Sequence, residues 1–503
     1  MKQLFNSLAV VGFVLGVTAL VPSRAGGQEA PADTAVSTAR VLPSQLNLND
    51  AVHLALTNNV QLALALLDVM AAREDTEGAK AYKEVELVLE GGIEEGRRKN
   101  TVEQSVSLLS DTFEEENTRY SAALEGLLPI GTTYRVGYDV GELSNSLTNR
   151  TFRAPFESQF TTFAGVSVTQ PLLRNFGLTV TRSRLINARL EEKIAEQNLR
   201  KQRMLTVANT VLAYWDVWMQ QELVKERASS LKNARALQAA NEQRKAEGKI
   251  AAIEVAAARA GVVKRETQWL EANSQYHESV NNLANLLGME VASEMVQLDD
   301  PGVELQSDET LAVSDHLTDL GLRHPDVQIK DMEIEVGTLQ LKVLTNQSRP
   351  ELNLVGSYGH NGLGSDLSES NDDITDGDFD RWSVGLVFRM GLGGGQEMVH
   401  RTRKAKIELD RSHMARDYVK KEVENRLRTT LRKVRLLRDA VVRQGEAVKI
   451  NADALDAEQK LLAAGKSKTA RAPTRALLPL PARGPFYFSP QPTTSARHPM
   501  RRR

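Results

Sequence analysis

The chain has 503 residues and a formal net charge of -2; 25% of its residues are charged, 5% are aromatic and none is cysteine. The near-neutral balance gives no pull toward nucleic acid or another polyanion. The missing cysteine excludes disulfides, thiolate metal sites, a cysteine nucleophile and an acylated N-terminal cysteine, and so much charge beside so few aromatics favours long solvated helices over a thick core.

Residues 1–25 read as a secretory signal: Lys2, an apolar run from Leu8 to Val21, then Ser23-Arg24-Ala25 as a small-x-small cleavage site. Residues 26–45, rich in Ala, Pro and Thr, form a linker. Beyond the signal no window of 18 apolar residues occurs, so entry into a membrane requires a β-barrel. Helical spacing runs from Asn47 to Tyr82 as helix, break, helix, and an alternating strand begins near Glu84-Val85-Glu86-Leu87-Val88. A further alternating hairpin, Tyr120 to Val140, turns at Pro129-Ile130-Gly131; its spacing fits either a place in the same sheet or a cap over it. In the next strand Ala164, Val166 and Val168 face one way and Gly165, Ser167 and Thr169 the other. It stops at Gln170-Pro171-Leu172, and a helix free of Pro and Gly runs from Leu178 to Ala246, reaching a turn at Gly248-Lys249. A returning helix continues to about Leu287.

The plan then repeats. Shifted by 267 positions, Val60-Gln61 falls on Val327-Gln328, and Glu84-Val85-Glu86-Leu87-Val88 falls on Glu351-Leu352-Asn353-Leu354-Val355 without a gap. A descending strand follows in which Val384, Leu386 and Phe388 oppose Gly385, Val387 and Arg389, and a second long helix runs from Gln396 to about Ala464, ending at Gly465-Lys466. Its apolar positions Val423, Leu427, Leu431, Val434, Leu437, Val441 and Val448 have helical spacing and are expected to pack. Residues 46–300 thus make a first repeat and 301–466 a second, incomplete one. Two short helices end to end match one long helix in length, which predicts a strand pair on a helical column. Four main strands per chain are too few to close a barrel, and open edges in lipid cost several kcal/mol per unpaired group, so several copies are required; three would supply twelve strands. One apolar and one small or polar face suits a barrel wall between lipid and water, although a half-buried soluble strand alternates in the same way.

Between the strands of the second repeat, Gly362 to Asp380 carries seven acidic residues among Ser and Gly and is expected to stay in water. Its Asp376, Asp378 and Asp380 do not make an EF-hand, since Arg381 stands where that loop needs Gly. No catalytic, metal or cofactor site emerges. His277-Glu278 is followed at the second-His position by Asn281, no Gly-x-Ser-x-Gly is present, and Gly391-Leu392-Gly393-Gly394-Gly395 lacks the Lys-Ser/Thr of a P-loop and reads as a turn. Trp215 and Trp218 read as packing residues.

On these residues the chain resembles the TolC-like outer membrane efflux proteins, the outer membrane factors. The resemblance is carried by Leu46-Asn47-Leu48-Asn49-Asp50-Ala51-Val52, by Gln170-Pro171-Leu172-Leu173, by Ala213-Tyr214-Trp215-Asp216, and by Gly248 with Ala258-Arg259-Ala260, within residues 46–466. It implies a mostly helical homotrimer whose β-barrel lies in outer-membrane lipid and whose coiled-coil-like helices cross the periplasm. There it would meet a periplasmic adaptor (membrane fusion) protein and an inner-membrane transporter and pass cargo unchanged, in efflux or type I secretion. By the same resemblance Glu247, Gly248, Lys249 and Ile250, with Gly465 and Lys466, are the helical tips that touch the adaptor, Glu254 is a candidate pore charge, and Gln170, Pro171 and Leu172 make the strand-to-helix junction. A periplasmic coiled-coil adaptor or scaffold without a pore is the other reading. The second repeat departs from the family after Gly465: the last 39 residues hold 7 of the 16 prolines, nine Lys or Arg and no Asp or Glu. Proline costs a helix interior about 3 kcal/mol, so 467–503 is expected to be an out-of-frame or otherwise altered end, or a basic tail, rather than the returning helix.

Overall fold

The computed structural model describes residues 41–102, 105, 111–145, 158–291, 296–300, 321–392 and 395–463. The signal, most of the linker and the tail at 467–503 lie outside them. The described chain is mostly helical with one large sheet. Its described residues fall into two units, one of 41–300 with 321–423 and one of 424–463.

After the two-residue strand β1 (Gln45–Leu46) come helices α1 (Leu48–Asn58) and α2 (Val60–Gly78), a 3-10 turn (Ala79–Lys83), and strands β2 (Glu86–Lys99), β3 (Thr112–Leu127), β4 (Thr133–Asn145) and β5 (Gln159–Pro171). The helical stretch over Asn47–Tyr82 is broken in two, as the repeat predicts, and the two parts meet at a bend of 42°. Asn59 causes the break: its extended backbone ends α1, its side-chain oxygen caps α2 by accepting from the Leu62 N–H at 3.1 Å, and its amide donates to the Leu286 carbonyl at 2.8 Å.

A short turn α3 (Leu178–Thr181) leads into α4 (Ser183–Ala246), whose 64 residues span about 96 Å at 1.5 Å per residue. Helix α5 (Ala252–Leu287) and the short strand β6 (Gln297–Leu298) follow. The second half contains α6 (Pro325–Gln347), β7 (Glu351–Gly364), α7 (Leu367–Asp376), β8 (Asp380–Arg389) and α8 (Gln396–Ala463). Helix α2 lies along the first part of α4 through Leu62, Val69 and Leu199, with Ala79 meeting Leu185 and Ala188 further along; α5 lies along the second part through Leu231, Ala234 and Val262. Two shorter helices do accompany one long one.

The sheet corrects the expected strand count. Its order is β2-β3-β4-β5-β7-β8, antiparallel throughout, so the extra hairpin is part of it and the chain supplies six strands rather than four. Hydrogen-bond length explains why: the hairpin is not the short Tyr120–Val140 segment but a pair of 16 and 13 residues, long enough to match both neighbours. The acidic segment after β7 is also more ordered than composition suggested. Asp366 accepts from the Glu369 N–H at 2.9 Å and caps α7, which packs on β5 and β7, where the Thr162 hydroxyl donates to the Ser370 carbonyl at 2.9 Å.

Within the first unit, α8 is tied to α6 by Arg416 Nε to Asp331 at 2.9 Å, and Ala405 and Val423 are buried. Beyond it, Val434, Leu437, Val441 and Val448 are exposed among the described residues.

Candidate functional site

The register of the sheet assigns every strand residue to one of two faces. One face carries Leu87, Leu89 and Ile93 of β2, Ala122 and Leu124 of β3, Tyr134, Val136, Tyr138 and Val140 of β4, Ala164, Val166 and Val168 of β5, Leu352, Leu354 and Tyr358 of β7, and Trp382, Val384, Leu386 and Phe388 of β8. Most of the large ones are exposed, Trp382 and Val384 each 69%. Charge on this face is confined to the end away from the helices, at Glu95, Arg97, Lys99, Glu114, Glu116, Glu142 and Asp380. The stretch from Leu87 to Ile93 measures about 23 Å at 3.3 Å per residue, close to the height of an outer-membrane apolar band. Water would not tolerate so large an apolar surface.

The opposite face is polar and crosses the same six strands: Glu86, Glu90 and Glu94, then Arg119, Ser121 and Glu125, Arg135 and Asp139, Thr161 and Ser167, Ser357 and Asn361, Arg381 and Ser383. Arg135 reaches Asp139 at 2.8 Å and Glu125 at 3.3 Å, and the Ser357 and Ser383 hydroxyls meet at 2.7 Å. The two faces of the sheet are thus one apolar and one polar.

At the helical end of the sheet lies the junction. Gln170 is bonded to the Thr132 hydroxyl, its amide donates to the Pro171 carbonyl at 2.7 Å, Pro171 is buried, and the Leu172 N–H donates to Leu352 at 2.7 Å. The hairpin turn between β3 and β4 docks here, since Gly177 N–H donates to the Ile130 carbonyl at 3.1 Å. Gly131 has φ +97, and a Cβ there would stand 2.6 Å from the Asn175 carbonyl, so glycine is required on two counts. Sequence reasoning missed the residue that holds the junction together, Asn346 at the end of α6. Its side-chain oxygen accepts from the Asn175 N–H at 2.7 Å, and its amide donates to the Leu173 and Phe176 carbonyls at 3.3 Å each. Asn175 itself has φ 64, a left-handed position that Asn tolerates, and the Asn-Phe-Gly ahead of a helix was the available signal.

The far end of α4 is a Schellman cap. Gly248 has φ +72, its N–H donates to Lys245 at 2.9 Å, and the Lys249 N–H donates to Arg244 at 2.9 Å. Glu247 is held by Lys249 at 2.8 Å, Ile250 is half-buried, and Glu254 sits exposed in the first turn of α5. These five therefore share one end of the helical column, while Gly465 and Lys466 lie outside the described residues. Among the described residues no group of three or more His, Asp or Glu is placed to hold a metal ion.

Midway along α4 a second unforeseen cluster closes the column. Tyr214 is fully buried, and its hydroxyl lies 2.9 Å from the Leu46 carbonyl and 2.8 Å from that of Asp299. The Tyr276 hydroxyl donates to Val296 at 2.5 Å, and the Gln221 side chain accepts from the Leu298 N–H at 3.0 Å. Together they pin the parallel pair β1–β6 against α4 and α5. Burial pushes the Tyr214 hydroxyl up to about 12, with the Asp299 charge adding to it. Trp218 packs against this core and meets Trp215 edge to face at 5.6 Å.

Comparison with known proteins points the same way. Residues 127–289 match the sequence profile described as outer membrane efflux protein, and no curated protein matches the chain. Among solved structures the fold is similar to that of CusC, described in terms of transmembrane channel formation, at 14% identity over 85% of each chain and a TM-score of 0.58. It is similar also to the CmeC outer membrane channel of Campylobacter jejuni, at 15% identity, 85% of this chain, 79% of that one and a TM-score of 0.59. The outer membrane protein VceC of Vibrio cholerae aligns at 15% identity over 84% and 87%, with a TM-score of 0.56. In sequence over residues 127–289, and in fold over most of its length, this chain resembles the outer membrane efflux proteins.

Proposed function

We propose that this chain is the subunit of an outer-membrane export duct, a trimer that passes cargo from a periplasmic transporter and adaptor to the exterior. The observation that carries the reading is the apolar face that reaches across all six strands, covered by α7 at Thr162 and Tyr138, and backed by a polar face over the same span. A periplasmic adaptor or scaffold would place that surface in water, where it promotes aggregation. In this reading the polar face lines the lumen, the junction at Gln170, Pro171 and Leu172 aims the helices away from the membrane, and the Schellman cap at Glu247, Gly248, Lys249 and Ile250 presents a tip to the adaptor; Gly465 and Lys466 would form the second tip. Glu254, exposed beside the first tip, would supply one carboxylate per copy to a ring that binds cations and repels anions. The chain moves its cargo without chemistry, whether as an efflux or a type I secretion component.

Conductance across a planar bilayer tests the reading. The purified chain is expected to form detergent-stable oligomers that dissociate only on heating, and to give discrete conductance steps. A chain that stays monomeric and soluble in buffer and gives no steps would replace the duct with the adaptor reading.

A further inference from the structure

Where the chain passes between sheet and helical column, the 3-10 turn ahead of β2, the short α3 and the first turns of α4 enclose a cavity of about 280 Å³. Lys83, Arg182 and Arg189 bring three cationic side chains to its wall, beside the apolar bodies of Tyr82, Leu178 and Leu185. Among the described residues no carboxylate lines it, and none of the three cations has an ion-pair partner. Glu192, about one turn beyond Arg189, pairs instead with Arg73 at 3.4 Å, and Lys83 only overhangs the Tyr82 ring, 5.7 Å from its centre.

Arg182 is the most demanding of the three. It is part-buried, and its Nε is shut off from solvent without a hydrogen-bond partner. A guanidinium keeps its charge and its five donors, and buried donors are ordinarily satisfied. Helix α4 contributes the same sign, because its positive end lies here with no acidic residue in the first turn. Such a wall calls for an anion with several acceptor oxygens, which a phosphate group supplies and which arginine matches with paired N–H donors. Its apolar half calls for more than a bare anion. Leu178 in the cavity and Phe176 just before it in the chain are both about half exposed, so an apolar body carried by the phosphate would find cover there. The position agrees: the apolar face of the sheet begins at Leu87, four residues after Lys83, so the cavity stands at the level where lipid headgroups would lie.

We propose that this cavity binds the phosphate of an amphiphilic phosphate ester, held by Arg182, Arg189 and Lys83 and covered on its apolar side by Tyr82, Leu178 and Leu185. Once bound, the ester ties the turn ahead of the sheet to the helix that leaves it. The shared chemistry admits two sources, the headgroup of a membrane phospholipid and a soluble phosphate ester. The site stands on these side chains alone; the phospholipid as its source rests on the export-duct reading.

Native mass spectrometry of the detergent-solubilised protein tests the site, with phosphatidylglycerol, diacylglycerol and glycerol 3-phosphate as probes. Phosphatidylglycerol is expected to stay bound at one per copy, and diacylglycerol, which lacks the phosphate, is not. In a Lys83→Gln/Arg182→Gln/Arg189→Gln variant the affinity is expected to fall by about tenfold or more. An Arg182→Lys/Arg189→Lys variant, which keeps the charge without the paired donors, is expected to lie between the two. Tighter binding of the lipid than of glycerol 3-phosphate assigns the site to a headgroup, and equal binding assigns it to a soluble ester. If the unaltered protein holds phosphatidylglycerol no better than diacylglycerol, or no better than the Gln variant does, the site is overturned and the duct is left intact. A soluble monomer that still binds glycerol 3-phosphate through these three cations overturns the duct and keeps the site.

Discussion

Tyr214 shows how one side chain fixes the middle of the helical column. Its hydroxyl can donate to only one of the two carbonyls it approaches at a time, the buried one of Leu46 or the part-buried one of Asp299. Tyr214→Phe leaves them without that donor and is expected to destabilise the fold by about 1–3 kcal/mol, read as an earlier midpoint in chemical or thermal unfolding. The raised pKa adds a pH signature. With the hydroxyl at about 12 in the folded chain and an ordinary 10 when unfolded, its contribution is complete below pH 10 and is lost as pH climbs from 10 toward 12. Wild type should lose stability across that window more steeply than the Phe variant; parallel curves would remove Tyr214 from the alkaline transition. The sequence marked this residue only through the resemblance of Ala213-Tyr214-Trp215-Asp216. Its partners Leu46 and Asp299 lie 168 and 85 positions away, and no local pattern connects them.

The elements that periodicity governs were readable, and those set by a single polar contact were not. Period-two alternation placed Ala164, Val166, Val168, Val384, Leu386 and Phe388 on one face, and the register agrees. The long helices end within a residue of the expected positions, because neither holds an internal Pro and Gly248 stops the first. The break in the opening helical stretch was legible from the repeat, whereas its cause was not, since a capping asparagine inside an apolar helical run looks like any other polar position until its partner at Leu286 is known. Helix α7 escaped notice, its cap at Asp366 outweighing its acidic composition. Strand number was the costliest miss: a hairpin's sequence does not say which neighbours it will find. At the junction, Asn346→Ala strips the Asn175 N–H and two carbonyls of their shared partner. The expected cost is about 0.5–1.5 kcal/mol for each part-buried hydrogen bond lost. It should appear as a lower temperature for heat-induced dissociation of the oligomer, and an unchanged temperature would mean that the hairpin turn alone holds strand to helix.

At the scale of the whole molecule, the sheet and the tip report on different ends of one path. If Glu254 lines the narrow end, Glu254→Gln should move the reversal potential in a salt gradient toward zero while leaving oligomer stability unchanged, because the side chain is exposed and caps nothing. An unmoved potential would place the carboxylate outside the conducting path. The apolar stripe Val434, Leu437, Val441 and Val448 is the other feature of this scale, exposed here and spaced for a helical partner.

The parallel pair β1–β6 has a consequence for the order in which the chain is built. Gln45 and Leu46 bond to Gln297 and Leu298, about 250 positions later. Synthesis delivers the first partner long before the second, and closing so large a loop is repaid only when Tyr214, Gln221 and Tyr276 are already in place to receive it. The beginning of the first repeat must therefore wait, unpaired, until its far end arrives, and the helical column locks at its middle as a late event in folding.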